Sequence, residues 1–166
     1  CVMPLMAQFM KGFPVTIFAY GMTGSGKTHT MQGGNIKEPQ DMTPGERKAL
    51  RVKVNKGEKY VPQPLGEADG MIPRVVTDMF ERIDKEKAEH PNVTFLVKWS
   101  MVELHVDGVN DLLVSSTGRK KHNYQHCPWV KEYIKNKGSI FRVESSHLIC
   151  KNYGDIKRAL EFGLAQ

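Results

Sequence analysis

The sequence predicts an α/β fold in which a buried strand runs through a glycine-rich turn into a helix. Three observations predict it. Phe13 to Tyr20 (FPVTIFAY) is a continuous apolar, β-branched and aromatic run bounded by Gly12 and Gly21, as in a strand buried on both faces. Gly21-Met22-Thr23-Gly24-Ser25-Gly26-Lys27-Thr28 follows directly, and Lys27-Thr28-His29-Thr30-Met31 can open a helix. Further on, Ile72, Val75, Val76, Met79, Phe80 and Ile83 recur at helical spacing, while Arg74, Asp78, Glu81, Arg82 and Asp84 fill the opposite face.

The remaining elements follow in order. Pro4 to Met10 is mostly apolar and stops at Lys11-Gly12, which predicts a short helix ended by glycine. Between Gly33 and Gly70 the composition changes to six Gly, four Pro and thirteen charged residues, the pattern of a surface insertion. Within it, Leu50, Val52 and Val54 alternate with Arg51 and Lys53, and Asn55-Lys56-Gly57-Glu58 can turn them into a small hairpin with Lys59-Tyr60-Val61. Pro73 suits the first turn of the long helix, which ends before Pro91. Val93 to Leu104 is strand-like, and Val109 to Leu113 reads as a helical turn. Val130 to Ile134 and Ile140 to Val143 can pair across Asn136-Lys137-Gly138. Asn152 with Asp155 three residues on resembles a helix N-cap, and Ile156, Ala159, Leu160 and Leu164 give that last helix its apolar face.

Bulk composition narrows the class. The chain has 166 residues, of which 40% are hydrophobic and 25% charged, so a globular domain with one core fits and whole-chain disorder does not. No apolar stretch approaches the roughly 18 residues of a membrane span. Cys1-Val2-Met3-Pro4 lacks the basic and apolar regions of a secretory signal. A start other than Met leads us to expect a segment of a longer protein. Cys1, Cys127 and Cys150 are too scattered for a disulfide framework and fit reduced thiols in the cytosol. A net charge of +6 favours an acidic partner, whether nucleic acid, anionic membrane or protein, and by itself selects none.

The glycine-rich turn fits G-x-x-x-x-G-K-[ST], and chemistry explains the spacing. Glycines let the backbone adopt positive φ and approach an anion closely. Successive N–H groups then form an anion nest at a helix start. Lys27 can reach the outer phosphates of a nucleotide and the Thr28 hydroxyl can ligate Mg²⁺. A chance Gly/Ser turn is the plain alternative, and the strand-loop-helix setting argues against it.

Phe18-Ala19-Tyr20 through Lys27-Thr28-His29-Thr30-Met31 closely resembles the phosphate loop of kinesin motor heads, and the His-Thr-Met continuation is more specific than the loop pattern alone. Met71-Ile72-Pro73-Arg74 is similar to that family's Ile-Pro-Arg helix, and Val102-Glu103-Leu104 with Asn110-Asp111-Leu112-Leu113 to its next strand and Asp-Leu-Leu turn. The resemblance covers most of the chain outside 33–70, which falls where the family has its loop 5. It implies a P-loop NTPase-type kinesin motor fold, with residues 1–166 as a partial motor domain whose central sheet is incomplete and flanked by helices. It also implies that Gly21, Met22, Thr23, Gly24, Ser25, Gly26, Lys27 and Thr28 hold ATP, that Lys27 is catalytic in stabilising charge on the transferring phosphoryl group, that Thr28 binds Mg²⁺, and that His29 lies near the adenine. The implied partners are microtubules and the rest of the motor domain rather than nucleic acid, in the cytoplasm and cytoskeleton.

The sequence also departs from the family. Met22 replaces the usual glutamine, and His105-Val106-Asp107-Gly108 replaces the usual Tyr-Asn-Glu. The family's Asn-x-x-Ser-Ser-Arg-Ser-His of switch I and Asp-x-x-Gly-x-Glu of switch II do not occur in the chain. The implied neighbours of the Phe13 to Tyr20 strand lie in those other parts of a motor head.

Weaker signals carry competing readings. Arg119, Lys120, Lys121, Lys131, Lys135 and Lys137, with Glu132 the one acid, give the window from Val114 to Ile140 a net +5 where the family's loop 8 meets tubulin. An electrostatic contact competes there with a merely solvated loop. His122, His126 and Cys127, with His147 and Cys150, could suggest zinc but lack paired Cys-x-x-Cys ligands. Asp107 could hold Mg²⁺ in a different small P-loop kinase, though Asp107-Gly108 reads better as a turn. A non-catalytic kinesin-like tubulin-binding module is the other alternative.

These 166 residues expressed alone are expected to be unstable and not to turn over ATP, because residues 13–20 then lack partners on both sides. Denaturation and phosphate-release assays check this, and a cooperatively unfolding, ATPase-active product overturns it.

Overall fold

The computed structural model describes residues 3–34, 36, 42–46, 65–105, 108–114, 130–135, 138–143 and 145–164. Four helices and six strands are named within them: α1 (Met3–Met10), α2 (Lys27–Gln32), α3 (Met71–Glu89), α4 (Tyr153–Leu164), β1 (Val97–Trp99), β2 (Val102–His105), β3 (Gly108–Asp111), β4 (Val130–Lys135), β5 (Gly138–Val143) and β6 (Leu148–Cys150). The chain divides into two units. One comprises residues 1–37, 59–96 and 151–157, and the other residues 38–58, 97–150 and 158–166.

The first unit is built on α3, against which both α1 and α2 pack. The helix runs over the predicted span; of the expected stripe it buries Val76 and Ile83 and half-buries Ile72, Val75, Met79 and Phe80, and Pro73 is buried beside them. Outward-facing charges pair along the helix, with Arg82 Nε donating to Asp78 Oδ2 at 2.7 Å. Helix α1 ends as its glycine predicts. Gly12 has φ 92°, the Gly12 amide donates to the Phe9 carbonyl at 2.9 Å, and the Phe13 amide reaches back to the Gln8 carbonyl at 3.2 Å. These two bonds form a Schellman cap.

Residues 13–20 correct the expectation of burial. They carry no strand pairing among the described residues, and Phe13, Phe18 and Tyr20 are 59%, 79% and 95% exposed. A strand is a relation between segments. An apolar run marks the tendency, but pairing and cover must come from elsewhere; the described residues supply no pairing and only half-bury Val15, Ile17 and Ala19.

The second unit holds three two-stranded antiparallel sheets. β1 pairs with β6, with Lys98 opposite Ile149. β2 pairs with β3, with Leu104 opposite Val109. β4 pairs with β5 from Val130 opposite Val143 to Lys135 opposite Gly138, which is the predicted hairpin. Two expectations are corrected here. The single strand over 93–104 is broken between Trp99 and Val102, and Val109 to Asp111 is a strand rather than helix. Local spacing in Val-Asn-Asp-Leu-Leu suits a helical turn, but the cross-strand partners of β2 decide it; only Leu112 and Leu113 turn. Gly163 in α4 lies where a Cβ would collide with the Met101 sulfur and touch Leu112, so its lack of a side chain admits that packing. The expected hairpin over 50–61 lies outside the described residues.

Helix α4 starts with the Asn152 N-cap read from sequence, and Asp155 adds a second bond one residue further back. Asn152 Oδ1 accepts from the Asp155 amide at 3.1 Å, and Asp155 Oδ2 accepts from the Lys151 amide at 2.7 Å. Ile156, Ala159 and Leu160 are buried as expected; Phe162 is buried as well.

The ends of the 33–70 insertion meet. The Gly34 amide donates to the Ala68 carbonyl at 2.8 Å, and Gly33 bridges Asp69. Gly33 also closes α2 at φ 83°. A Cβ on Gly33 would strike the Ala68 carbonyl and Gly70 nitrogen, and one on Gly70 would strike the Gly33 nitrogen. The two backbones are therefore in direct contact, as only glycine allows. Gly70→Ala is expected to lower stability by about 2 kcal/mol, the scale of an overpacked site. Chemical denaturation of the full-length protein measures this, and a change within about 0.5 kcal/mol contradicts the crossing.

Candidate functional site

The glycine-rich turn lies in the first unit, between residues 13–20 and α2. Gly24 and Gly26 have φ of 82° and 85°, left-handed values that a side chain would strain. Gly26 serves as the N-cap of α2, and no side chain caps that end. The first amides of any helix have no intrahelical acceptor. Here the first helical bond comes from Thr30, whose amide donates to the Gly26 carbonyl at 2.8 Å. Gly21 sits where a Cβ would collide with Ser25 Oγ, so the turn closes on itself at that point. The Ser25 amide donates to the Met22 carbonyl at 3.2 Å.

Lys27 closes the ring. Its Nζ donates to the Gly21 carbonyl at 2.8 Å and to the Met22 carbonyl at 2.6 Å. The ammonium is thus held over the loop mouth by main-chain oxygens of the same loop, with its side chain half-buried. Thr28 and His29 are exposed, and so are residues 21–26. The loop brings together every residue singled out from Gly21 to Thr28.

His29 and Thr30 border a cleft of about 620 Å³, whose other walls include Leu65, Met71, Arg74, Val75 and Asp78. Arg74 is held there by carbonyls: Nε donates to Asp69 at 3.0 Å and Nη2 to Gly66 at 2.7 Å. In sequence Arg74 reads as part of the Ile-Pro-Arg motif and as an outward-facing charge of the helix, and its carbonyl partners go unread. The preceding Gly66-Glu67-Ala68-Asp69 turn was the available signal.

The basic window is described only in part. β4 carries Lys131 and Lys135, while Lys137, Arg119, Lys120 and Lys121 lie outside the described residues. Register places Arg142 opposite Lys131, a cation that a window ending at Ile140 misses. His122, His126, Cys127 and Asp107 also lie outside the described residues. Cys150 is buried and His147 exposed.

Several known proteins are similar to this chain. The family model described as the kinesin motor domain matches residues 1–165. Human kinesin-like protein KIF27 is 30% identical over 165 residues, covering 99% of this chain and 9% of its own length. Fission yeast (Schizosaccharomyces pombe) kinesin-like protein cut7 is 31% identical, covering 98% of this chain and 12% of its own. Human kinesin-1 heavy chain is 32% identical over 133 residues, covering 79% of this chain and 11% of its own. Among solved structures, a KIF14 dimer in a two-heads-bound state, with AMP-PNP and in complex with a microtubule, superposes with a TM-score of 0.62 at 27% identity, covering 96% of this chain and 34% of that one. The chain therefore spans about a tenth of these curated relatives and about a third of the solved motor chain.

Proposed function

The chain belongs to the kinesin motor domain family, and from that premise we propose that it forms the ATP-binding part of a microtubule motor ATPase. The observation that supports this most is the Lys27 ammonium, held over a loop whose Gly24 and Gly26 turn left-handed into α2. A triphosphate entering such a loop meets main-chain N–H groups and a fixed cation together. Lys27 exchanges two carbonyl partners for phosphate oxygens, which carry full charge and bind an ammonium more strongly. As negative charge builds on the transferring phosphoryl group, the same ammonium stabilises it.

Thr28 suits Mg²⁺. Its hydroxyl follows Lys27 on an exposed helix start, and Mg²⁺ characteristically takes one or two protein oxygens, with phosphates and water completing its shell. When bound, the ion would neutralise charge between the outer phosphates. The cleft beside His29 is assigned to the base, with an apolar wall from Leu65, Met71 and Val75. Residues 33–70 are assigned as an insertion at the loop 5 position, and the complete protein works in the cytoplasm on the cytoskeleton.

We assign the acidic partner to tubulin, through Lys131, Lys135 and Lys137. The supporting observations are the net +5 of residues 114–140 and the hairpin that carries part of it. Such a contact is weakened by salt.

Two measurements on the full-length protein test these assignments. Lys27→Ala is expected to weaken binding of a fluorescent ATP analogue by about 10- to 100-fold, the factor for losing a charged hydrogen-bond donor. Unchanged affinity removes the nucleotide reading. Reversing Lys131, Lys135 and Lys137 to Glu is expected to weaken microtubule co-sedimentation by at least about tenfold and flatten its salt dependence. Untouched affinity at low salt rejects this contact.

A further inference from the structure

Among the described residues, Asp111 is the one polar or charged side chain that is buried, at 5% exposure. It lies at the end of β3, and both its carboxylate oxygens are engaged by main chain. Oδ1 accepts from the Leu113 amide at 2.9 Å and Oδ2 from the Ser146 amide at 2.6 Å. The first bond is local and fixes the turn after β3. The second reaches across 35 residues of sequence. Between the two points lies the whole of 114–145, including β4 and β5 with Lys131 and Lys135. The chain leaves for the hairpin on one side of this carboxylate and returns on the other.

The geometry points to Asp111 as a positioning residue that ties together Leu113 and Ser146, the two ends of the segment carrying β4 and β5, and thereby holds that segment for its acidic protein partner. The partner rests on the tubulin assignment above. Several features suit the role. A carboxylate accepts from two N–H groups without a proton of its own, and bonds to a charged acceptor are short and strong. The low exposure of the carboxylate limits competition from water on its side of both bonds. The neighbouring backbone is anchored too: the Leu112 amide donates to the Met101 carbonyl at 3.0 Å, tying the turn to the segment before β2. Asn in this position keeps the shape but offers a single acceptor and presents an NH₂ group to the other amide. One of the two amides is then left facing a donor.

The test uses the full-length protein with Asp111→Asn, and Ser146→Pro as a second variant that removes the donor instead of the acceptor. Hydrogen exchange is expected to show faster exchange of the Ser146 amide and the β4–β5 amides in Asp111→Asn, and of the β4–β5 amides in Ser146→Pro. Microtubule affinity is expected to fall about tenfold in each, as for one orphaned buried donor or acceptor, with the double variant no worse than either. The slope of affinity against salt stays that of the parent, because no cation has been removed, and ATP-analogue affinity stays within about twofold. Parent-like exchange at β4–β5, or nucleotide affinity falling as far as microtubule affinity, overturns the proposal. If the lysine reversals leave microtubule binding untouched while Asp111→Asn still deprotects the hairpin, the tubulin assignment fails and the clamp stands.

Discussion

A main-chain N–H or C=O that leaves a helix or ladder must still find a partner, and in this chain side chains repeatedly provide it. Lys27 satisfies the Gly21 and Met22 carbonyls. Arg74 gathers carbonyls of the turn before α3. Asp111 takes the amides of Leu113 and Ser146. At the start of α4, Asn152 takes the Asp155 amide and Asp155 that of Lys151. The described strands are short and only paired in twos, so little of the backbone is satisfied by a continuous sheet. The irregular segments hold their shape through a few charged or amide groups placed at chain reversals.

This division explains what could be read in the sequence. Features set within five or six residues were legible. The Gly12 stop, the left-handed Gly24 and Gly26, the Asn152–Asp155 cap and the apolar stripe of α3 all depend on local geometry, and the structure has them. The β4–β5 pairing was legible because Asn-Lys-Gly sits between two β-prone runs. Features set by distant partners were not. Val109 to Asp111 reads as a turn until β2 is placed beside it. The contact of Gly33 with Gly70 joins positions 37 residues apart in sequence, and nothing in either neighbourhood announces it. Asp111 falls in the same class, since its long bond belongs to Ser146. The turn from Gly21 to Thr28 was legible for the same local reason as the Gly12 stop, since its glycines stand at fixed spacing and Gly24 and Gly26 are left-handed.

Residues 13–20 mark the boundary between these cases. Their apolar character is a local fact, but the exposure of Phe18 and Tyr20 shows that burial is decided by what lies alongside. The family relationship supplies the context: the solved motor chain that superposes on this one is about three times as long. The loop that follows keeps its closed form even so, because Lys27 and Ser25 hold it from within rather than through residues 13–20.

The Gly33–Gly70 crossing has a consequence for how such a chain can vary. Because the two ends of the intervening stretch are joined by their own backbones, α2 and α3 keep their phase whatever is threaded between them. Lengthening a tethered loop costs only slowly growing entropy, about 0.6 kcal/mol per doubling. The crossing is therefore expected to act as a splice point, where residues can be added, lost or exchanged for a reporter peptide with the glycine-rich loop next door undisturbed.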